Sequence, residues 1–199
     1  MSSGRDRMVR LVGERYADCG FSNFAVGDDK FTQSRQKQLD RVRSYAVDIL
    51  QHREAGRNLI MIGSCGTGKD HLATAVMRHA IANGLNVAFI RGTSLSEKMI
   101  LGIKNGEKLE ERFHTWDFLC ISDIEPHGPE SSSPHVLASY LDLIDERYRR
   151  KLPTIITSNV DKREDLAKAI GTRCVDRLLH DAVVARMVWP TARGEVNNG

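Results

Sequence analysis

The stretch GSCGTGKDH at positions 63–71 has the residue types and spacing to hold a chain of phosphates. In the pattern G-x-x-x-x-G-K-[ST], glycines let backbone N–H groups curl around phosphate oxygens, and the lysine reaches the outer phosphates as a point charge. Gly63, Gly68 and Lys69 occupy the fixed positions, with Ser64, Cys65, Gly66 and Thr67 between them and His71 in the turn that follows. The last position departs from the pattern, because Asp70 stands where a hydroxyl would meet magnesium. A carboxylate is also a hard oxygen ligand for that ion, but it adds negative charge beside the phosphates. Direct ligation by Asp70, ligation through water and loss of tight metal binding all remain open.

Three later stretches carry groups that phosphate chemistry needs. FLCISDIEP (118–126) supplies acids at the end of an apolar run. Asp123 is the better magnesium ligand, and Glu125 is the glutamate placed to polarise an attacking water, two positions on rather than adjacent. In the alternative order, Ser122 takes the metal position and Asp123 that of the base. TIITSN (154–159) ends on Asn159, which can bond the γ-phosphate or the attacking water, or cap a helix starting near Asp161. GTRCVDRLLH (171–180) sets Arg173 and Arg177 four apart on one helical face. Such arginines can stabilise charge on a transferred phosphoryl group in a neighbouring subunit's site. Arg177 is the first choice for that role and Arg173 the second, with a surface ion pair of Asp176 and Arg177 as the plain alternative.

These stations need elements to position them. Short apolar runs at 58–62, 86–90, 117–122, 153–158 and 183–189 read as strands. Between them, helical spacing covers 34–53 (Leu39, Val42, Ala46, Ile49 and Leu50, closing at Gly56), 70–84, 94–103, 135–150 and 161–170. Ser94 with Glu97 predicts a capping box, and Asp161 with Glu164 predicts another helix start. GPESSSPH (128–135) is a turn-rich, low-complexity loop. Five strands alternating with helices imply an α/β fold, a five-stranded parallel sheet with helices on both faces. Ligands in such sheets bind beyond the carboxyl ends of the strands, where positions 63–70, 122–125 and 157–159 all fall.

Composition narrows the class. The chain has 199 residues, enough for one ordinary domain with a core. A mean hydropathy of −0.36 and short apolar runs argue against a membrane span, and the first residues lack an apolar signal core, so a cytoplasmic location is expected. Cys19, Cys65, Cys120 and Cys174 form no C-x-x-C pair, so reduced, buried thiols are expected rather than a zinc site. The net charge is only +3, but positions 147–199 carry +5 and the rest −2, which suits a phosphate-contacting face.

With the four stations in this order, the chain resembles the AAA+ ATPases, specifically the DnaC/IstB-like helicase-loader branch, over about residues 15 to 193. GTGKDHLATAV looks like the loader loop, which tolerates Asn at the hydroxyl position. LIDERYRRKLPTIITSNV resembles the branch's helix, turn and Thr-Ser-Asn sensor, and VDRLLH its DRL box. FSNF (21–24) resembles the entry to the ATPase core, with Phe21 or Phe24 placed near an adenine or packed into the core. Trp189 and Arg193 resemble the point where the core ends.

The resemblance implies a P-loop NTPase (AAA+) three-layer sandwich with little or no C-terminal helical lid, an extension at 1–14, the domain at 15–193 and a tail at 194–199. It further implies ATP with magnesium as cofactors, ATP hydrolysis, and a homo-oligomer with sites between subunits. The implied partners are single-stranded DNA and a replicative helicase. Lys98, Lys104 and Lys108, with Phe113 and Trp116 nearby, are the candidate DNA contacts. Two alternatives stand beside loading: a transposition helper that binds DNA and a transposase, and a pseudo-ATPase, suggested by Asp70 and Ser122. Ser122-Asp123 in place of a paired acid bears on hydrolysis more than on binding.

Overall fold

A computed structural model describes residues 4–105, 113–125 and 133–191. Five strands form one sheet: β1 (Leu59–Gly63), β2 (Val87–Arg91), β3 (Phe118–Ser122), β4 (Thr154–Ser158) and β5 (Val183–Met187). Their spatial order is β2-β3-β4-β1-β5, and every neighbouring pair is parallel. The predicted α/β fold and parallel sheet are therefore observed. β1, β3 and β4 are buried along their whole length; β1 and β3 accordingly read as near-continuous apolar runs, while β4 carries Thr154, Thr157 and Ser158 inside as well.

Alternate residues of the strands feed two cores, one on each face. Leu59 and Met61 of β1 pack with α2 (Thr32–Val47) and α4 (Lys69–Ala82). Ile60 and Ile62 pack on the other face with residues of α5 (Gly92–Asn105), α6 (Pro134–Arg149), α7 (Arg163–Ile170) and α8 (Thr172–Leu179). Two further α-helices, α1 (Gly4–Val12) and α3 (Ile49–Ala55), complete the set described. No helix among the described residues is long and apolar enough to cross a membrane.

The sheet is pinned from inside. Asn58, just before β1, donates to the Leu178 carbonyl at 3.0 Å and accepts from the Thr154 N–H at 2.8 Å, while its own carbonyl accepts from Val183 N–H at 2.9 Å. One buried side chain and its backbone thus tie β1 to both neighbouring strands and to α8. Arg147 is 1% exposed, and its bonds among the described residues go to neutral acceptors. Its guanidinium donates to the carbonyls of Phe113 (2.6 Å), Trp116 (3.2 Å) and Pro153 (2.7 Å) and to Thr154 Oγ1 (3.2 Å). Burial, with Arg53 nearby, lowers its pKa to about 9, so it stays charged at neutral pH.

Three predicted boundaries move. The helix expected over 34–53 breaks at Asp48, whose N–H bonds back to the Ser44 and Ala46 carbonyls, and Leu50 is left 54% exposed on α3. Gly56 closes α3 as expected, in the left-handed region at φ 74°, where a Cβ would come within 2.7 Å of Lys151 Cα. α5 begins at Gly92 directly off β2, so Ser94 lies inside the helix and caps nothing. That early start is supported by Ser96 Oγ and the Tyr140 hydroxyl, which both donate to the Gly92 carbonyl. α7 begins after Lys162 without a side-chain cap, so Asp161 is an exposed residue ahead of the helix rather than its cap. In the turn-rich loop, 128–132 lie outside the described residues, and Ser133 Oγ caps α6 by accepting from Val136 N–H at 3.4 Å. The tail at 194–199 and Arg193 also lie outside the described residues.

Arg147→Met should cost about 3 kcal/mol of stability, since it strands buried carbonyls while keeping the apolar volume. Urea unfolding followed by circular dichroism checks this, and a loss below about 1 kcal/mol contradicts the pinning role.

Candidate functional site

The loop after β1 is shaped by close backbone approach. Gly63 adopts φ 132° beside the Met187 carbonyl, and Ser64 N–H donates to that carbonyl at 3.1 Å. Gly68 turns the chain into α4 at φ 93°, and a Cβ there would sit 2.6 Å from Phe24 Cε2. A side chain at either position is excluded by φ and by contact together. Lys69 is only 5% exposed, and its Nζ donates to the carbonyls of Gly63 (2.9 Å) and Ser64 (2.7 Å), while Thr67 Oγ1 donates to Ser64 O (2.9 Å). Burial lowers the Lys69 pKa, and Asp70, Asp123, Cys65 and Glu125 oppose that shift. The amino group therefore lies within electrostatic reach of every acid proposed for the site.

The acids are organised by one hydroxyl. Asp123 follows β3 with φ 50°, and its N–H donates to Thr157 Oγ1 at 2.9 Å. Thr157 Oγ1 in turn donates to Asp70 Oδ1 at 2.7 Å. The Asp70 pKa is raised, first by burial and then by the charge of Asp123, against the stabilising Thr157 hydrogen bond and the nearby Lys69. Asp70 and Asp123, interacting with one another and with Lys69, offer hard oxygen donors of the kind a divalent ion takes. Asn159 donates through Nδ2 to Glu125 Oε1.

A cavity of about 220 Å³ gathers Lys69, Asp70, Asp123 and Asn159 with Cys65, Gly66, Gly68 and His71 of the loop. Gly63, Ser64 and Thr67 shape the loop without lining that cavity. Glu125 stands behind Asn159 rather than in the lining, and Ser122 is fully buried in the sheet with its Oγ unpartnered, away from the lining. Of the two residues weighed for the metal position, Asp123 lines the cavity and Ser122 does not. His71 lines the cavity while its Nε2 lies 2.8 Å from the Gly20 carbonyl.

The FSNF aromatics take the packed position of the two weighed for them. Phe24 packs against the loop and edge-on to His71, with ring centroids 5.4 Å apart, and Phe21 packs against the core, so neither aromatic lines the cavity. Tyr16 does, together with Arg15. Both come from the segment before the core, which α4 straps down through Arg78 to the Ala17 and Cys19 carbonyls. Sequence reasoning missed them because nothing in a turn-rich segment marks which side chain will fold across a distant loop. Cys120 and Cys174 are buried as expected, Cys19 is half-buried, and Cys65 is exposed because it sits in the phosphate loop.

Arg173 and Arg177 lie on α8 outside this cavity, in a separate hollow with Tyr148, Asp176 and His180. The Asp176–Arg177 ion pair, weighed as the plain alternative to a role in a neighbour's site, is not formed. Asp176 pairs with Arg163, and Arg177 pairs with Asp145 while lying 5.1 Å over the Tyr148 ring. Arg173 is the more exposed of the two. Of the candidate DNA contacts, Lys98 is exposed on α5, and Phe113 packs against the core rather than standing free for stacking. Trp116 is half-buried, with its carbonyl held by Arg147. Lys108 and the side chain of Lys104 lie outside the described residues.

The family of IstB-like ATP-binding proteins matches residues 20–193 of this chain. The chain belongs to this family. It is 28% identical to the replicative helicase loader DnaC of Buchnera aphidicola subsp. Schizaphis graminum, over 94% of this chain and 76% of the relative. It is also 27% identical to an insertion sequence IS5376 protein of Geobacillus stearothermophilus, over 78% of this chain and 63% of that one. A crystal structure of the DnaC helicase loader superposes with a TM-score of 0.73 at 20% identity, covering 87% of this chain and 99% of that one. The chain is thus an AAA+ protein of the DnaC/IstB-like family, and nucleotide binding is the property this family implies for the loop at 63–71.

Because Asp70 is held with a raised pKa, its ionisation weakens the metal-free fold as pH rises from the unfolded value toward the folded one. Asp70→Asn should therefore raise the melting temperature of the metal-free protein at pH 7, and the gain should vanish below about pH 3, where the carboxyl is protonated in both states. Differential scanning fluorimetry across pH checks both halves.

Proposed function

We propose that this AAA+ chain binds ATP with magnesium, hydrolyses it slowly, and uses it to place a replicative helicase on single-stranded DNA. The observation that carries the nucleotide part is the convergence of Lys69, Asp70, Asp123 and Asn159 from three strand ends on one cavity. Lys69 and the loop N–H groups would hold the phosphates, and Asp70 and Asp123 would hold magnesium, which supplies charge neutralisation there. Asn159 and Glu125, hydrogen-bonded to one another, would orient the attacking water. Arg173 or Arg177, outside the cavity of its own subunit, would serve the site of a neighbour in a homo-oligomer. The helicase enters through the replicative helicase loader DnaC that the chain is similar to, and the DNA is what the family resemblance implies.

The likeness to an insertion-sequence protein favours a second reading, an ATP-dependent transposition helper that binds DNA and a transposase. A pull-down against replicative helicase and against transposase separates the two: capture of helicase supports loading, and capture of transposase alone supports the second.

Turnover should be measurable for the wild type, rise with single-stranded DNA, and fall at least tenfold in Lys69→Ala, a loss of about 1.4 kcal/mol or more. A phosphate-release assay with and without DNA reads this. Equal rates for the two proteins would remove hydrolysis and leave a chain that binds nucleotide without cutting it. Titration with a fluorescent ATP analogue then shows whether Lys69→Ala has also lost binding.

A further inference from the structure

The largest of the cavities described, about 410 Å³, shares no lining residue with the nucleotide cavity. It opens beside the edge strand β5, on the sheet face of the α5–α8 layer. Its apolar lining is aliphatic: Ile60 and Ile62 of β1, Val184 of β5, Leu166 of α7, and Val175 and Leu179 of α8. Around these stand Lys37 and Arg41 of α2, Lys162 and Arg163 at the start of α7, and Arg186 of β5. No carboxylate and no aromatic ring is among the described lining residues.

The basic charge is only partly matched. Arg163 pairs with Asp176, and Arg41 donates to the Val184 carbonyl at 2.7 Å, a neutral acceptor that leaves its charge uncompensated. Lys37, Lys162 and Arg186 are exposed. Gln38, which also lines the cavity, is 9% exposed, and its Oε1 has no hydrogen-bond partner. A buried amide oxygen left alone costs free energy that a donor from an occupant would recover.

We propose that this cavity docks an acidic, amphipathic segment of a partner protein, its aliphatic side chains seated between β5 and α7–α8 and its carboxylates meeting Lys37, Arg41, Lys162 and Arg186. The charge calls for an anionic occupant. The lining decides which kind. Single-stranded nucleic acid is commonly held on rings against which bases stack, and the described lining has none; a duplex would engage the cations through its phosphates but leave the aliphatic surface unused. Branched aliphatic surface instead accepts Leu and Ile anchors, as in helix-in-groove recognition. The inference is independent of nucleotide binding, because the two cavities are separate.

The probe is a fluorescein-labelled synthetic helix with leucines spaced three and four apart and glutamates on its other face, titrated with the full chain by anisotropy. Saturable binding is expected, weakened at least about tenfold by the double variant Lys162→Glu/Arg186→Glu and by replacing the peptide's glutamates with glutamine. Both substituted residues are exposed, and melting temperature with ATP-analogue affinity should stay at wild-type values, which separates this result from failure of the nucleotide site. Equal peptide affinity for wild type and double variant overturns the proposal. So does displacement of the peptide by oligothymidylate at equal affinity, which would make the face a DNA contact. A change of oligomeric state in the double variant, seen by size-exclusion chromatography with light scattering, also overturns it in favour of a contact between copies of this chain.

Discussion

The hydroxyl of Thr157 is the joint on which the candidate site depends. It accepts from the Asp123 backbone and donates to the Asp70 side chain, so the ends of β3 and β4 and the first turn of α4 share one oxygen. A hydroxyl can do this because it carries both a donor and lone pairs, and neither role is open to an aliphatic side chain of the same shape. The unusual Asp at the phosphate-loop position is thereby given a fixed direction. Asp123, at positive φ, is held by the same bond that shapes its turn. The sheet delivers these groups to one place because β3, β4 and β1 are adjacent and parallel, so their carboxyl ends open on one side.

Much of this was legible in the sequence. β1 and β3 are buried on both faces, and that condition writes itself as an apolar run ending at Gly63 and Ser122, while the equally buried β4 keeps only Ile155 and Ile156 because its hydroxyls find partners. The loop was legible because glycine at Gly63 and Gly68 answers a backbone demand that no other residue meets cheaply. Helix starts were less legible. Ser94 and Asp161 carry the side chains of caps, but tertiary contacts at Gly92 and the path after Lys162 set the true beginnings. Asp48 breaks a helix that apolar spacing alone runs through.

What the sequence hid was long-range polar geometry. Arg147 reads as one more basic residue in a charged helix end, yet it is buried and binds three carbonyls from two other segments. Arg15 and Tyr16 reach the nucleotide cavity only because Arg78 and His71 of α4 hold the carbonyls of Ala17, Cys19 and Gly20. In each case one partner is a backbone carbonyl, which every residue possesses, so no residue type announces the pairing. Arg177 and Asp176 part for a different reason, a longer-range pairing of side chains. Their adjacency in sequence says nothing about Asp145 on a different helix.

The bond from Arg41 to the Val184 carbonyl has a consequence for the sheet's outer border. β5 closes the sheet on one side, and a parallel edge leaves backbone groups pointing outward. Such a row is a template on which a strand from another molecule can add, the first step toward fibrous association. A guanidinium seated on one of those carbonyls, with Arg186 beside it on the same strand, puts charge where an incoming backbone would need to lie. The fold thus guards its open flank with the same cations that line the neighbouring hollow.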